Sequence, residues 1–398
     1  MDAFRQISIS SDVAEDAYLA LRSAQTALQD MLRLDGYRYV DTPILEETDL
    51  FLRKSGGELA ARMYSFVDPG GRQVSLRPEF TASVIRAFLG RQDEEALPHR
   101  VQYAGPVFRH EPDTLQVNRQ FTQVGAEFLG SAAPEADAEI LSLVCRGMAA
   151  VGLSGARLVM GHVGAVSGLL EAYGLSERAR AFVISRLRVL SQGGDAQDKV
   201  LQEAEELGLL NSKGAPFSSG KAMRSAGNEQ DGLAEAMIQD VSNGFVGSRS
   251  PEEVVHRFLR KLAGADDPSN IQRGIALAAG LAKVAGPPRD ALKEAGALAA
   301  AAGLDNAALD ECSLLIDAID ASDLAGVGIT LDFSRVRSIA YYTGMVFEVE
   351  HPALPTGLIL CGGGRYDGLV RALGGAKDIP ALGFAFGLEP LVSALEGG

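Results

Sequence analysis

Strand-forming sequence occupies both ends of this chain and helical periodicity fills its middle, so any sheet must be assembled from segments far apart in the chain. Tyr37–Asp41 before Pro43, Gln73–Arg77, Val101–Glu111 and Arg119–Phe128 read as strands, the last two as a long hairpin. Strand chemistry resumes beyond Gly328 at Met345–Glu350, Gly357–Cys361 and Ala381–Phe386. From Asp12 to Asp35 apolar residues such as Tyr18, Leu21, Leu28, Met31 and Leu32 recur at three- and four-residue steps, which predicts an amphipathic helix. Asp12 and Glu15 give it an acidic start, and Gly36 is placed to end it in the left-handed region. Further helices are expected at about Glu79–Leu89 and at Leu388–Leu395. The pattern predicts an α+β fold, an antiparallel-rich sheet flanked by helices, built from residues 1–150 and 326–398 around a mostly helical insertion and return segment at 151–325.

Composition narrows the function classes. With 46% hydrophobic residues and three dispersed cysteines in 398 residues, the chain is expected to be globular, with Cys145, Cys312 and Cys361 as reduced core thiols. Net charge is −15, from 37 basic against 52 acidic residues, a field that repels phosphate backbones and argues against nucleic acid as a partner. The longest greasy stretch, Ala295–Leu304, is too short to span a membrane, and the first residues lack the basic and apolar regions of a secretory signal, so a cytoplasmic location is expected. The five histidines fall in no ligand spacing, and no metal or other cofactor is implied.

Several stretches could carry chemistry. On the hairpin, odd positions bring Arg109 and Glu111 to one face of the first strand, and Arg119, Gln123 and Glu127 to one face of the second. Pattern alone favours a solvated sheet face, the alternative being a polar binding floor. Gly362-Gly363-Gly364-Arg365-Tyr366-Asp367 lacks the spacing of a nucleotide-binding loop. Gly383 and Gly387 would let a ligand or a neighbouring strand approach closely. Arg337 with Tyr341 and Tyr342 suits either a pocket for a carboxylate and a ring or ordinary aromatic core.

Six of these stretches, in order, resemble the histidyl-tRNA synthetase family. GYRYVDTPILEETDLF is similar to class II motif 1, MYSFVDPGGRQVSLRPEFTA to the family's L-R-P-E-G-T loop, and VFRHEPDTLQVNRQFTQVGAE to motif 2. RSIAYYTGMVFE and GGGRYDGLV resemble the two histidine signatures, and PALGFAFGLEPL resembles motif 3. The resemblance implies a class II synthetase-like fold and a histidine site made of Glu79, Thr81, Arg109, Gln123, Glu127, Arg337, Tyr341 and Tyr342. In it Arg337 would orient the ligand, Glu79 and Gln123 would hold the amine, and Glu127 and Tyr341 would read the imidazole.

The departures from that pattern set the expected function. Pro390 stands where motif 3 has the arginine that clamps ATP, and Pro112 and Val117 replace two motif 2 arginines. Losing one preorganised donor typically costs roughly a hundredfold to a thousandfold in rate, so little adenylation is expected. Phe80 replaces the glycine of L-R-P-E-G-T and Ala340 the aspartate before the two tyrosines, which alters the shape of the amino-acid pocket. The chain stops eight residues after Pro390, where a synthetase would continue into an anticodon-binding domain, so that domain is expected to be missing.

A core without these parts resembles the synthetase paralogue of histidine biosynthesis, the non-catalytic regulatory subunit of ATP phosphoribosyltransferase. That resemblance implies activation of a short-form catalytic subunit, L-histidine as feedback effector, and a homodimer within a hetero-octamer. The alternatives are a stand-alone histidine-adenylating enzyme and a ligand-free scaffold.

Overall fold

The computed structural model describes residues 14–53, 56–91, 96–110, 119–210, 266–322, 324, 326–335, 341–355 and 357–397. They form two compact units, one of residues 1–165, 283–297 and 305–398, the other of residues 166–282 and 298–304. Among the described residues no helix is long and apolar enough to cross a membrane.

In its described residues the larger unit has twelve strands: β1 Arg38–Tyr39, β2 Leu45–Glu47, β3 Ser65–Val67, β4 Gln73–Leu76, β5 His99–Phe108, β6 Gln120–Leu129, β7 Arg157–His162, β8 Ala285–Gly286, β9 Gly328–Asp332, β10 Met345–Glu350, β11 Cys361–Arg365 and β12 Ala381–Gly387. Nine of them make one mixed sheet in the order β1-β5-β6-β12-β11-β10-β7-β9-β8, and β2-β4-β3 make a small separate one. Among the described strands only β1–β5 and β7–β9 pair in parallel. The sheet therefore interleaves both ends of the chain, as the α+β expectation requires, since β6 pairs directly with β12.

Local chemistry explains the first helix. It runs Glu15–Leu34 and buries Ala24, Leu28, Met31 and Leu32, the C-terminal half of the apolar stripe read from the sequence, while Tyr18 in the first half is exposed. Gly36 lies at φ +84°, the Gly36 N–H donates to Arg33 O at 3.1 Å, and the Tyr37 N–H donates to Leu32 O at 3.0 Å. This is the paired C-terminal closure that favours glycine at that position. Asp12 lies outside the described residues, and Ala14 occupies the N-cap without a side-chain bond.

Helices Glu15–Leu34, Pro134–Ala150 and Leu388–Glu396 cover one face of the sheet. A Cβ on Gly147 would lie 3.0 Å from Phe386 and 3.1 Å from Leu28, so a small residue there lets helix, helix and strand meet. The opposite face is also covered. Phe80 and Val84 pack on Val101, Tyr103 and Val107, while Ile85 and Phe88 pack near Leu129, Tyr341, Tyr366 and Ala381. The solvated face suggested by alternation is thus corrected: the odd positions of β5 and β6 are roofed by the Thr81–Leu89 helix and by tyrosines from the C-terminal part.

Two boundaries also differ from the sequence reading. The strand expected at Gly357–Cys361 is β11, Cys361–Arg365, so the glycine run is the strand itself. A Cβ on Gly363 would lie 2.1 Å from Gly383 O, a contact only glycine tolerates. In addition β7, which falls in the stretch read as helical, lies in the main sheet between β10 and β9.

The smaller unit is helical where described, with helices Glu177–Ser185, Leu187–Leu190, Ala196–Glu206 and Pro268–Leu281. Ser176 caps the first of these, accepting the Ala179 N–H at 3.3 Å, and the Asp266 carboxylate accepts both the Ser176 N–H at 2.9 Å and its hydroxyl at 2.7 Å.

Arg365 ties β11 to the Pro134–Ala150 helix. Its buried guanidinium donates through Nε to both Asp137 carboxylate oxygens at 3.1 Å and through Nη1 to Ser131 O at 2.9 Å. Removing one partner of a buried ion pair strands the other charge and costs about 3–5 kcal/mol. Arg365 Nη1 keeps the partly exposed Asp367 carboxylate at 3.2 Å, so Asp137→Ala is expected to lower the unfolding free energy by the lower end of that range, about 3 kcal/mol, in urea titrations. A loss below about 1 kcal/mol, the range of solvent-exposed pairs, would show that the pair is not shielded from water.

Candidate functional site

Glu127 is the centre of the covered face. Strand register sets Val101, Glu127, Gly383, Gly364 and Val346 in one line across five strands. The Glu127 side chain turns over Gly383, where a Cβ would lie 1.7 Å from its Oε2. Of the two readings of Gly383, close packing is the one realised. Glu127 is 1% exposed, and three hydroxyls satisfy it: Thr81 donates to Oε1 at 2.7 Å, Tyr103 to Oε1 at 3.1 Å, and Tyr366 to Oε2. Burial, with the nearby Glu79 carboxyl adding to it, outweighs these bonds and raises the Glu127 carboxyl to about 8. At neutral pH it is held mainly as the neutral acid.

The roof is the N-terminus of the Thr81–Leu89 helix. Glu79, also buried, accepts the Ala82 N–H at 3.0 Å and the Thr81 N–H, satisfying two of the free donors of the first turn. Burial raises its carboxyl too, opposed by those bonds and by the Arg109 guanidinium. Arg109 donates through Nε to Pro78 O at 2.8 Å and lies 5.2 Å from the centroid of the Phe121 ring.

Between Glu79 and Thr81 the chain places Phe80, 1% exposed. Its ring stacks on that of Tyr103, with centroids 4.3 Å apart and planes 11° from parallel, and the Arg77 guanidinium lies 3.9 Å from its centroid. Arg77 is itself fixed, donating to Pro106 O at 2.9 Å and Thr42 O at 2.6 Å.

Tyr341, Tyr342 and Tyr366 form an aromatic cluster with centroids 4.9 to 6.3 Å apart, Tyr366 edge-on to the other two and those two tilted against each other. Burial above all, with the field of Glu127 on both and of Glu79 on Tyr341, raises the Tyr341 and Tyr366 phenols. Gln123 lies between Gly105 and Gly387 in the sheet, 9% exposed, and its Oε1 is buried without a hydrogen-bond partner. Past Gly387, the Glu389 carboxylate accepts the Thr122 N–H at 2.9 Å, and Pro390 packs over Gly387, its Cγ 3.1 Å from where a Cβ would sit.

The structure brings Glu79, Thr81, Glu127 and Tyr341 into one buried cluster, with Arg109, Gln123 and Tyr342 at its borders. Arg337, Ala340, Glu111, Pro112 and Val117 lie outside the described residues. Tyr103, Tyr366 and Arg77 are site residues that the sequence reading did not single out. Tyr103 was visible as an odd-position neighbour of Arg109, and Tyr366 as the aromatic in GGGRYD. Among the described residues no group of three or more His, Cys, Asp and Glu side chains could hold a metal ion. What the arrangement offers is recognition: carboxyls, hydroxyls, an amide and aromatic rings facing one another.

Residues 10–204 and 253–391 match the family described as histidyl-tRNA synthetase. The chain is 30% identical to the ATP phosphoribosyltransferase regulatory subunit of Symbiobacterium thermophilum, over 95% of this chain and 76% of that protein. It is 28% identical to the histidine–tRNA ligase of Chlorobium phaeobacteroides strain BS1, over 100% of this chain and 73% of that one. In fold it is similar to the crystal structure of an ATP phosphoribosyltransferase regulatory subunit/histidyl-tRNA synthetase from Bacillus halodurans, with TM-score 0.68 and 21% identity over 99% of this chain and 83% of that one.

The raised Glu127 carboxyl has a consequence for stability. Its value is about 8 when folded against 4.5 for the free side chain, so the folded state holds the proton more tightly. The stabilisation is complete below the unfolded value and is lost as pH rises through the folded one. Glu127→Gln, an isostere of the protonated acid, lacks this dependence. From about pH 5 to pH 8 the unfolding free energy of the wild type is expected to fall relative to Glu127→Gln by on the order of 3 kcal/mol, and then to level off. Parallel pH profiles in denaturant titrations would mean that Glu127 is ionised in its site.

Proposed function

The chain belongs to the histidyl-tRNA synthetase family, and on that premise we propose that it is a non-catalytic, cytoplasmic regulatory subunit of ATP phosphoribosyltransferase in histidine biosynthesis. In this reading it binds the short-form catalytic subunit as a homodimer within a hetero-octamer, activates it and conveys inhibition by L-histidine. The observation that carries the reading is Pro390. The β12 strand and the Leu388–Glu396 helix set this residue against Gly387, next to the strand position of Gln123. Synthetase chemistry needs a fixed cation on ATP at that position of motif 3, and a proline has neither charge nor donor. The regulatory-subunit names of some relatives support the same conclusion.

The histidine site would be the one built around Glu79, Gln123 and Glu127, with Thr81, Arg109, Tyr341, Tyr342 and Arg337 completing it. Feedback through such a site is a coupling free energy. Histidine inhibits only to the extent that it binds the inhibited assembly better than the active one, typically by about 1–3 kcal/mol, and the partner's substrates must weaken histidine reciprocally.

Relatives named as histidine–tRNA ligases favour a second reading, a histidine-adenylating enzyme. One set of rates separates the two. The phosphoribosyltransferase rate of the short catalytic subunit is expected to rise when this chain is added and to fall again as histidine is titrated in. Glu127→Ala should blunt the inhibition. Histidine-dependent exchange of pyrophosphate into ATP at synthetase-like rates, with no effect on the partner, would establish the adenylating enzyme instead.

A further inference from the structure

Phe80 is held like a bound ligand. Its ring has a phenol ring at 4.3 Å and a guanidinium at 3.9 Å, and two flat groups at such distances cannot share one face, so the ring is sandwiched between Tyr103 and Arg77. Beneath it Gly105 contributes no side chain: a Cβ there would lie 3.3 Å from Phe80 Cζ and 2.7 Å from Arg77 Nη2. Both walls are anchored independently of Phe80. Arg77 is bonded to Pro106 O and Thr42 O, and the Tyr103 hydroxyl has two acceptors within reach of its one proton, Glu127 Oε1 at 3.1 Å and Phe384 O at 3.3 Å. Without the Phe80 ring these groups would frame a flat slot, walled by a cation and an aromatic face, floored by glycine and opening onto a buried carboxyl. Stacking and cation–π attraction select a planar ring for such a slot, and the Tyr103 hydroxyl oxygen, which can accept as well as donate, selects one that carries N–H.

We infer that Phe80 is the internal occupant of this slot and competes there with a planar N–H-bearing ring of the imidazole class. The inference deepens the histidine-site reading and rests on it for the identity of the natural ring. Its consequence is quantitative. A ligand that binds only when the side chain is out has an apparent dissociation constant raised by the reciprocal of the fraction of molecules with the slot vacant. A single side chain then sets the concentration at which the ligand is felt, without altering any group that touches it.

The test uses the full chain and two probes, imidazole and L-histidine, titrated calorimetrically into the wild type, Phe80→Leu and Phe80→Gly, each first checked for fold by circular dichroism. Both probes are expected to bind Phe80→Gly at least about tenfold more tightly than the wild type, with Phe80→Leu between them because its side chain fills the slot without lying flat. Equal or weaker binding by the folded variants overturns the inference. Should Phe80→Gly fail to fold, the wild type labelled with fluorophenylalanine serves. The Phe80 fluorine signal, identified by its loss in Phe80→Leu, must shift at saturating histidine, and an unmoved signal overturns the inference equally. Failure of the regulatory reading looks different: histidine then binds the variants more tightly yet leaves the partner's rate unchanged. Inhibition of the partner by histidine with the same affinity in all three proteins would keep the regulatory reading and reject the competition.

Discussion

A single buried carboxyl holds the larger unit's two halves to one geometry. Glu127 lies on β6, the third strand of a nine-stranded sheet, and is satisfied by hydroxyls from three places, the start of the Thr81–Leu89 helix, strand β5 and the residue that follows β11. An unsatisfied polar group there would cost several times the worth of an ordinary hydrogen bond, so all three segments must arrive together. Gly383 makes room for the carboxyl, and Gly363 lets the next strand close up on it. The glycines at the C-terminal end and the acid near the N-terminal end form one packing unit divided between distant parts of the chain. Arg365 and Asp137 repeat the same logic nearby, joining β11 to a helix that follows β6.

Much of this was legible in the sequence, because the deciding signals were local. The first helix declares its stripe and its closing glycine, and the hairpin declares its alternation. The covered polar face was not legible from pattern, since alternation reports only that two faces differ and not what lies on each. Its roof comes from an adjacent helix start and from tyrosines more than two hundred residues away, which no short window can contain. The misplaced β11 has a related cause. Glycine is a poor strand former by propensity, yet here it is required by the approach of backbones on either side. The resemblance to synthetases located Glu79, Thr81 and Glu127 together, but it had nothing to say of Phe80, Tyr103 and Arg77 as a stack, because the stack exists only where this chain departs from the family pattern.

The electrostatics of the site bear on what it can do. A synthetase active site must hold ATP phosphates and stabilise charge that develops during adenylation, which calls for fixed cations at exact positions. Around Glu127 the described side chains offer mostly uncharged hydroxyls and rings, two carboxyls raised by burial, and cations that are already tied to backbone carbonyls, as Arg77 is to Pro106 and Thr42. In the regulatory reading proposed above, such an arrangement would serve to distinguish one ring and its hydrogen-bonding edge from another rather than to move phosphate charge.

Competition between Phe80 and a ring ligand would also resolve a tension in that role. A feedback sensor with a tight pocket would be saturated at low ligand concentration, and would shut its partner off while the ligand was still scarce. Weakening the pocket by removing ligand contacts would raise the threshold but sacrifice discrimination, because each lost hydrogen bond is also a lost criterion. An internal occupant raises the threshold by a constant factor for every ring of the same shape and leaves the ratios between them unchanged. Glu127, Thr81 and Tyr103 can then keep the geometry that selects the ligand, while the side chain between Glu79 and Thr81 sets how much of it is needed.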